Sequence, residues 1–278
     1  MSDTVTEGQT EKPTPEAEGD EVEASRAPLI DHLVELRSRL IKALISFIIM
    51  FFLSFLLAKQ IYNILVWPYV FAAGSGADVR LIYTAPLEYL FTQIKIAVFG
   101  AAFLSFPVVA TQIYKFVAPG LYKNERQAFL PYLVATPLFF ILGAAVVYFI
   151  AMPVVMNFSL GQQQAGGDGV AAIQLLPKVS EYLSLIMTLI FAFGLCFQLP
   201  VLLTLLARAG LVDSAFLKSK RRYAIVGVFV VAAVLTPPDI ISQTSLALPT
   251  LLLYELSIFS VRMVEKKRAE AEAARAAT

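Results

Sequence analysis

The sequence has almost none of the residues that build disulfides or transition-metal sites. Its 278 residues include one cysteine, Cys196, and one histidine, His32. A single cysteine excludes an intrachain disulfide, and Cys196 lies in an apolar run, where a thiol packs as a small hydrophobic group. Zinc and haem sites draw on several cysteine and histidine ligands. We therefore expect neither a metal site nor a cofactor.

Charge is also scarce. Charged residues make up 15% of the chain and the net charge is +1, whereas soluble domains are about 25% charged. The chain lacks the basic excess that binds phosphate backbones, so we expect no nucleic-acid partner. In contrast, 58% of the residues are hydrophobic, above the roughly 45–50% of soluble proteins. This excess needs a solvent that accepts exposed apolar side chains, and that solvent is a lipid bilayer.

The first 27 residues are polar and acidic. Their carboxylates are Asp3, Glu7, Glu11, Glu16, Glu18, Asp20, Glu21 and Glu23, and their only basic residues are Lys12 and Arg26. Because this segment has almost nothing apolar to bury, it predicts a disordered cytoplasmic tail. It also contains no apolar run, so we expect no cleavable signal peptide and expect the first membrane helix to direct insertion.

Six apolar runs follow the acidic leader. The first four cover residues 40–58, 94–117, 129–155 and 182–207, each near or above the roughly 20 residues that a spanning helix needs. Pro107, Pro137 and Pro200 predict kinks in the second, third and fourth. The last two runs, 223–235 and 245–261, contain 13 and 17 residues. The sequence therefore predicts an all-α polytopic membrane protein with six transmembrane helices, the last two short.

The last two runs allow two interpretations. A helix of 13 residues reaches only about 20 Å, less than the bilayer core of about 30 Å. The pair forms either a hairpin that never spans or two short helices in a locally thinned bilayer. The polar turn Pro237-Pro238-Asp239 would be costly deep in lipid, which favours two short spans.

Basic residues predict the orientation of the six helices. One set of loops and ends contains Arg37, Arg39, Lys123, Arg126, Arg208, Lys218, Lys220, Arg221, Arg222, Arg262, Lys266, Lys267, Arg268 and Arg275. The opposite set contains Lys59, Arg80 and Lys178. The positive-inside rule therefore places both termini in the cytoplasm. This gives a leader (1–27), a transmembrane domain (28–262) and a charged cytoplasmic tail (263–278). Between the first two spans, residues 59–93 predict a long outer loop whose Tyr62, Trp67 and Tyr69 fit an interfacial aromatic belt.

Polar residues near the membrane are the candidates for function. Leucines recur at three- or four-residue spacing from Leu29 to Leu40, which predicts an amphipathic helix entering the membrane. Glu35 and Arg39 are four residues apart on this helix, and spacing alone favours a surface ion pair of about 0.2–0.5 kcal/mol. Glu125 lies at the predicted start of the third helix, where the helix dipole favours a carboxylate.

Further polar residues lie in the later helices. Gln198 is in the middle of the fourth helix, where helix–helix hydrogen bonding is its usual role. Asp239 and Gln243 lie at the last outer turn. Glu255 is in the sixth helix, roughly two turns from the predicted cytoplasmic interface at Arg262.

Three motifs together resemble one family. Residues 28–39 read PLIDHLVELRSR, residues 116–126 read FVAPGLYKNER, and residues 235–239 read LTPPD and are followed by Ser242-Gln243-Thr244. They resemble the amino-terminal signature, the first cytoplasmic loop and the last outer loop of TatC, the large subunit of the twin-arginine protein translocase. The resemblance runs from about residue 28 to residue 268. It implies six helices in a cupped arrangement in the bacterial cytoplasmic membrane, with both termini cytoplasmic.

The resemblance also implies a function without a cofactor. Members of the family bind the paired arginines of signal peptides on folded cargo proteins, recruit the single-span subunits TatA and TatB into an oligomeric complex, and use the protonmotive force. It implies a signal-peptide site at Glu35, Glu125 and Phe116, with Arg37 and His32 from the first motif. Two guanidinium groups pair well with two carboxylates, each of which accepts bidentate hydrogen bonds.

A second set of residues is implied for partner docking. We expect Gln198, Asp239, Gln243 and Thr244 to provide polar groups in or near the membrane for the single-span subunits. The sequence departs from the family at Gln198, where many members have a glutamate. A neutral amide does not titrate, so a mechanism that needs a carboxylate at this position does not apply to this chain.

Other functions explain the sequence less well. A proton- or ion-coupled small-solute transporter would use Glu255 and Gln198, but the sequence has neither a midplane charge cluster nor the internal repeat of many transporters. A scaffold that only assembles partner helices is a third hypothesis. The sequence contains no phosphate-binding loop and no nucleophile–base pair, so we do not expect an enzyme.

Overall fold

The computed structural model describes residues 15–74, 79–121, 126–167, 169–236 and 239–276. Over these residues the α-helices are α1 (Pro15–Leu56), α2 (Ala58–Ala73), α3 (Glu88–Leu121), α4 (Arg126–Val146), α5 (Met152–Gly161), α6 (Val179–Cys196), α7 (Leu199–Arg208), α8 (Ser214–Ser219), α9 (Arg221–Leu235) and α10 (Ile240–Ala276). A π-helical turn, Val147–Ala151, joins α4 to α5. Successive spans alternate in direction. The start of α1 and the ends of α3, α7 and α10 therefore lie on one side of the bundle, the terminal side.

The described residues contain five stretches long and apolar enough to cross a membrane. They are Leu33–Leu56, Glu88–Phe116, Pro131–Gly161, Val179–Arg208 and Ile240–Glu270. Helix α9 has 15 residues and reaches about 22 Å, so it is short, as the sequence predicts. The all-helical, polytopic architecture is confirmed.

The last helix is longer than its apolar run. Helix α10 has 37 residues, so the prediction of a short final helix is wrong for the helix as a whole. Alanine, glutamate, lysine and arginine dominate residues 263–276 and are strong helix formers. The segment assigned to a charged tail therefore continues α10 to Ala276.

Helix α1 also begins earlier than expected. It starts at Pro15, so the prediction of a disordered leader is wrong for residues 15–27. Alanine and glutamate favour helix, and proline is well tolerated in a first helical turn. Residues 1–14 lie outside the described part of the chain.

The predicted outer loop at residues 59–93 contains a helix. Helix α2 follows α1 after the single non-helical residue Leu57 and buries Leu65, Val66 and Tyr69. This periodic apolar face explains why the segment is helical. Trp67 is exposed as an interfacial residue should be, but Tyr69 is buried and lies 5.7 Å from Tyr182 between ring centres. The aromatic-belt prediction therefore fails for Tyr69.

The expected proline kinks take different forms. Pro107 lies inside the uninterrupted helix α3. The fourth apolar run is divided at Phe197 and Gln198, which form a turn between α6 and α7 just before Pro200. Proline has no N–H for the preceding turn and its ring crowds the carbonyl four residues back, so the helix is interrupted here for two residues within one continuous span.

The core is centred on α4 and α6, which approach each other through glycines. A Cβ atom on Gly143 would lie 2.7 Å from the backbone oxygen of Phe193, and one on Gly194 would lie 2.4 Å from the Phe140 ring. Phe140 and Phe193 are both 1% exposed. Small residues let membrane helices pack at this distance, which strengthens dispersion contacts between them.

Helix α1 lies at the edge of the bundle and packs mainly along α3. Ser54 of α1 is fully buried against α3, where a Cβ atom on Gly100 would lie 2.6 Å from the Ser54 hydroxyl oxygen. Most of the other large side chains of α1 are exposed, among them Leu44, Ile49 and Phe52. This apolar exposure is typical of a lipid-facing surface.

Candidate functional site

Glu35 lies near the start of α1, on the terminal side, and pairs with Arg39. The Arg39 Nε atom donates to Glu35 Oε1 at 2.9 Å, and the Arg39 Nη2 atom contacts the same oxygen. The Glu35 side chain is 32% exposed. The ion pair favoured by spacing is therefore present, and no hydrogen bond to Glu35 Oε2 is found among the described residues. One carboxylate oxygen stays available to a second guanidinium group.

Phe116 lies at nearly the same height as Glu35. The contact between Ser54 and Gly100 sets the register of α1 against the antiparallel α3. From that contact, Glu35 is 19 residues along α1 and Phe116 is 16 residues along α3, about 28 Å and about 24 Å toward the terminal side. The half-buried Phe116 therefore lies within about one helical turn of Glu35 along the bundle axis.

Of the other residues predicted for the signal-peptide site, the structure describes the side chain of Arg37. Arg37 is exposed on α1, but it is two residues from Glu35, and residues two apart on a helix do not face each other. The side chains of His32 and Glu125 lie outside the described residues.

Gln198 joins two helices inside the bundle. Its Nε2 atom donates to the backbone oxygen of Thr136 on α4 at 2.9 Å. The Thr136 hydroxyl in turn donates to the Tyr114 hydroxyl on α3 at 3.1 Å. Thr136 is 2% exposed, and no hydrogen bond to Gln198 Oε1 is found among the described residues. The cluster draws α3, α4 and the α6–α7 turn together, and the sequence analysis found only Gln198 because hydroxyl groups in apolar runs carry little signal.

The residues predicted for partner docking at the α9–α10 turn bond mainly within this helix pair. Asp239 Oδ1 accepts from the backbone N–H of Ser242 at 2.7 Å, which caps the start of α10. Gln243 Nε2 donates to the backbone oxygen of Phe229 on α9 at 3.3 Å. Thr244 is half-buried next to it. Gln243 therefore joins α10 to α9, and Asp239 caps the start of α10.

On the terminal side, an ion pair joins α9 to α10, and a glutamate of α10 binds the start of α8. Arg221 Nη2 at the start of α9 donates to Glu255 Oε2 on α10 at 2.6 Å, and both side chains are 49% exposed. Glu265 accepts from the backbone N–H and the hydroxyl of Ser214 at 2.7 Å and 2.6 Å. Glu265 and Ser214 had no signal in the sequence because their contact joins residues 51 positions apart. Glu255 thus has a partner near the membrane surface, unlike the isolated carboxylate that an ion-coupled transporter would use.

A further network missed by the sequence analysis lies at the opposite side. Glu88, at the start of α3, accepts from the backbone N–H of Thr84 at 2.8 Å and from the hydroxyl of Ser180 at 2.5 Å. The adjacent backbones pair where Ile82 N–H donates to Pro177 O at 3.1 Å. The carboxylate therefore caps α3 and joins it to the start of α6.

These features define a polytopic helical membrane protein whose polar groups lie at helix ends and helix contacts. In the described part of the chain no group of three or more histidine, cysteine, aspartate or glutamate residues could hold a metal ion. The chain matches the family of the Sec-independent protein translocase protein TatC over residues 31–249. It belongs to that family and is a component of a protein translocase.

Individual relatives support this assignment. The chain is 46% identical over 249 residues to the Sec-independent protein translocase protein TatC of Magnetococcus marinus, with 90% of this chain and 89% of that protein covered. It is 40% identical over 239 residues to the TatC protein of Rickettsia prowazekii, with 86% and 94% covered. A crystal structure of the twin arginine translocase receptor TatC matches with a TM-score of 0.72 and 38% identity, covering 84% of this chain and 98% of the solved one.

Proposed function

We propose that this chain is the receptor subunit that binds twin-arginine signal peptides for the export of folded proteins. The observation that carries the proposal is the Glu35 carboxylate, which is partly exposed at the start of α1, at the height of Phe116, with one oxygen unbonded in the described structure. An arginine of the peptide would bind that oxygen while Arg39 keeps the other in place. Charge-assisted bonds of this kind are about twice as strong as neutral ones.

The second arginine of the peptide would bind Glu125, which the family resemblance pairs with Glu35. The ring of Phe116 would pack against a guanidinium plane or an apolar residue of the peptide. His32 and Arg37 would contact the segment that flanks the arginines. In this arrangement the protein supplies two carboxylates that recognise the arginines, and no bond is broken.

The proposed orientation places the termini in the cytoplasm of a bacterium and the chain in its cytoplasmic membrane. The distribution of lysine and arginine supports this orientation, since the terminal side carries most of them. TatA- and TatB-like single-span subunits would dock along α9 and α10 to complete an oligomeric complex driven by the protonmotive force. The exposed valines of α9, Val226, Val230 and Val234, leave an apolar face for such a helix.

Charge reversal at the two glutamates tests the proposal. We expect Glu35→Lys or Glu125→Lys to weaken binding of a twin-arginine peptide at least tenfold. A hydrogen bond to a charged group contributes about 1.5–3 kcal/mol, and about 1.4 kcal/mol is tenfold in affinity. Glu35→Asp should lose less, because the charge remains and only reach changes. Affinity is measured on purified protein with a fluorescent peptide.

The matched control is Glu181→Lys. Glu181 is an exposed glutamate whose side chain is 70% exposed and pairs with Lys178 on the opposite side of the bundle. This variant should bind the peptide like the unchanged protein. Unchanged binding by both Glu35→Lys and Glu125→Lys would overturn the assignment of the site.

A further inference from the structure

An apolar groove opens on the side of the bundle between α2, α3 and the π-helical turn. Its volume is about 330 Å³, within the roughly 300–1,000 Å³ of small-molecule sites. Ile64 of α2, Phe103 of α3 and Ile141 of α4 line it, together with the small residues Gly100 and Ala145. Nearly all of its lining is hydrocarbon.

Aromatic residues cover the end of the groove farthest from the terminal side. The π-helical turn presents Tyr148, whose hydroxyl donates to the backbone oxygen of Ile64 at 2.9 Å. The Tyr148 ring stacks on Trp67, with 5.4 Å between ring centres and 8° between planes. Tryptophan and tyrosine concentrate at the headgroup level of a bilayer, where their polar atoms meet water and their rings meet lipid. The groove therefore runs from the aromatic level into the hydrocarbon core.

The mouth of the groove is continuous with the membrane-facing surface. Leu104, Ile141 and Phe149 line it and are 45%, 54% and 62% exposed. In a membrane these side chains meet lipid, and no water is present to fill an apolar cavity at this depth. If the groove were empty, the atoms that line it would lack dispersion contacts on one side.

The lipid-facing mouth decides what fills the groove. Its lining is hydrocarbon, and the exposed side chains at its mouth already meet the acyl chains of the surrounding bilayer. A hydrocarbon chain is also much thinner than a helix, which with its side chains is about 10–12 Å wide. We propose that the groove binds one acyl chain of a phospholipid, whose headgroup lies beside Trp67 and Tyr148.

The proposal can be tested with the intrinsic fluorescence of the protein. Trp67 is the only tryptophan of the chain, so all tryptophan emission reports from the rim of the groove. The purified protein in detergent micelles receives one to two equivalents of a phospholipid brominated in its acyl chains. At this ratio few lipids share the micelle, so a random encounter quenches little. We expect quenching to saturate near one lipid per protein and to be reversed by unbrominated phospholipid.

Two variants close the groove from different helices. Ala145→Phe and Leu104→Phe each place an aromatic ring in the lining of the groove. Both should lose most of the saturable quenching. Val134→Phe is the matched control, because Val134 is a lipid-facing residue of α4, 63% exposed and away from the groove. It should retain the quenching, and a folded far-UV spectrum and an unchanged elution volume are required of all three.

Several results would overturn the proposal. Quenching that rises in proportion to added lipid, or that is equal in Ala145→Phe and the unchanged protein, would mean partition into the micelle alone. A cysteine at Leu104 tests the other occupants in native membranes, with Cys196 replaced by alanine. A disulfide-linked dimer would assign the groove to a second copy, and a crosslink to a small single-span protein would assign it to a partner helix.

Discussion

Single hydrogen bonds between side chains and backbone hold the helices of this protein in register. Gln198 is the clearest example, because its amide reaches the backbone oxygen of Thr136 on a neighbouring helix at 2.9 Å. The bond depends on an N–H donor, which an ionised glutamate at this position would lack. In this chain the Gln198 amide therefore forms a hydrogen bond that joins the α6–α7 turn to α4.

Removal of the hydrogen bond from Gln198 to Thr136 should destabilise the protein. We expect Gln198→Leu to lower the free energy of unfolding by about 0.5–2 kcal/mol, the range measured for hydrogen bonds between membrane helices. The measurement is the thermal midpoint of the purified protein in detergent. Gln162→Leu, at an exposed turn after α5, is the control and should change little. A Gln198→Leu protein as stable as the unchanged one would show that the bond contributes nothing.

Glu35 shows what the sequence predicts and what it omits at this scale. Its spacing from Arg39 predicted the ion pair that is found, and its motif predicted membership of the family. Thr136 and Tyr114 were not predicted, since a hydroxyl in an apolar run has no distinguishing pattern until three helices meet around it. Contacts between distant positions carry no local pattern.

At the scale of elements, the packing of α4 on α6 depends on two glycines. We expect Gly143→Ala to destabilise the protein by about 1–3 kcal/mol, the usual cost of overpacking, because the new Cβ would lie 2.7 Å from a backbone oxygen. Gly227→Ala on α9 is a matched control, since a Cβ there meets no atom within 4 Å. It should be neutral or stabilising, because glycine is a poor helix former.

Thermal unfolding in detergent measures both glycine variants. Equal midpoints for Gly143→Ala and Gly227→Ala would contradict the close approach of α4 and α6.

Helix α9 raises the question of whether a short helix crosses the membrane. It has 15 residues, about 22 Å, and the bilayer would have to thin beside it. We expect a cysteine at Ile241, in a protein whose Cys196 is replaced by alanine, to react with an impermeant reagent added to the periplasmic side. A cysteine at Lys266 should react only after the membrane is opened. A cysteine at Ile241 that reacts only after the membrane is opened would mean a hairpin that does not span.

The elements were predicted unevenly. Long apolar runs identified α1, α3, α4 and α6 because hydrophobic length is a strong signal. Helix α2 was mistaken for a loop, since it has only 16 residues and Lys59, Gln60 and Asn63 interrupt its apolar residues. The charged segment after residue 262 was predicted as a tail, and its helical conformation was not predicted, because helix propensity without an apolar face leaves little pattern.

For the whole molecule, the family and the architecture follow from sequence, whereas the shape of the binding surface does not. The proposed signal-peptide site would combine the start of α1 with the end of α3, and the packing of these helices, with Ser54 against Gly100, places Glu35 level with Phe116. The groove between α2, α3 and the π-helical turn is likewise a product of three-dimensional packing. Both surfaces depend on where helices meet.

The central claim is that Glu35 binds an arginine of the signal peptide directly. A double-mutant cycle tests it, with the unchanged protein and Glu35→Gln, each measured against a twin-arginine peptide and its twin-lysine counterpart. We expect Glu35→Gln to remove most of the preference for arginine, because a planar guanidinium can direct two N–H donors at the free carboxylate oxygen, as Arg39 does at the other oxygen, whereas lysine is a point charge. The coupling energy should be in the 0.5–3 kcal/mol range of residues in contact. If Glu35→Gln weakens both peptides by the same factor, the coupling is zero and Glu35 does not touch the arginines.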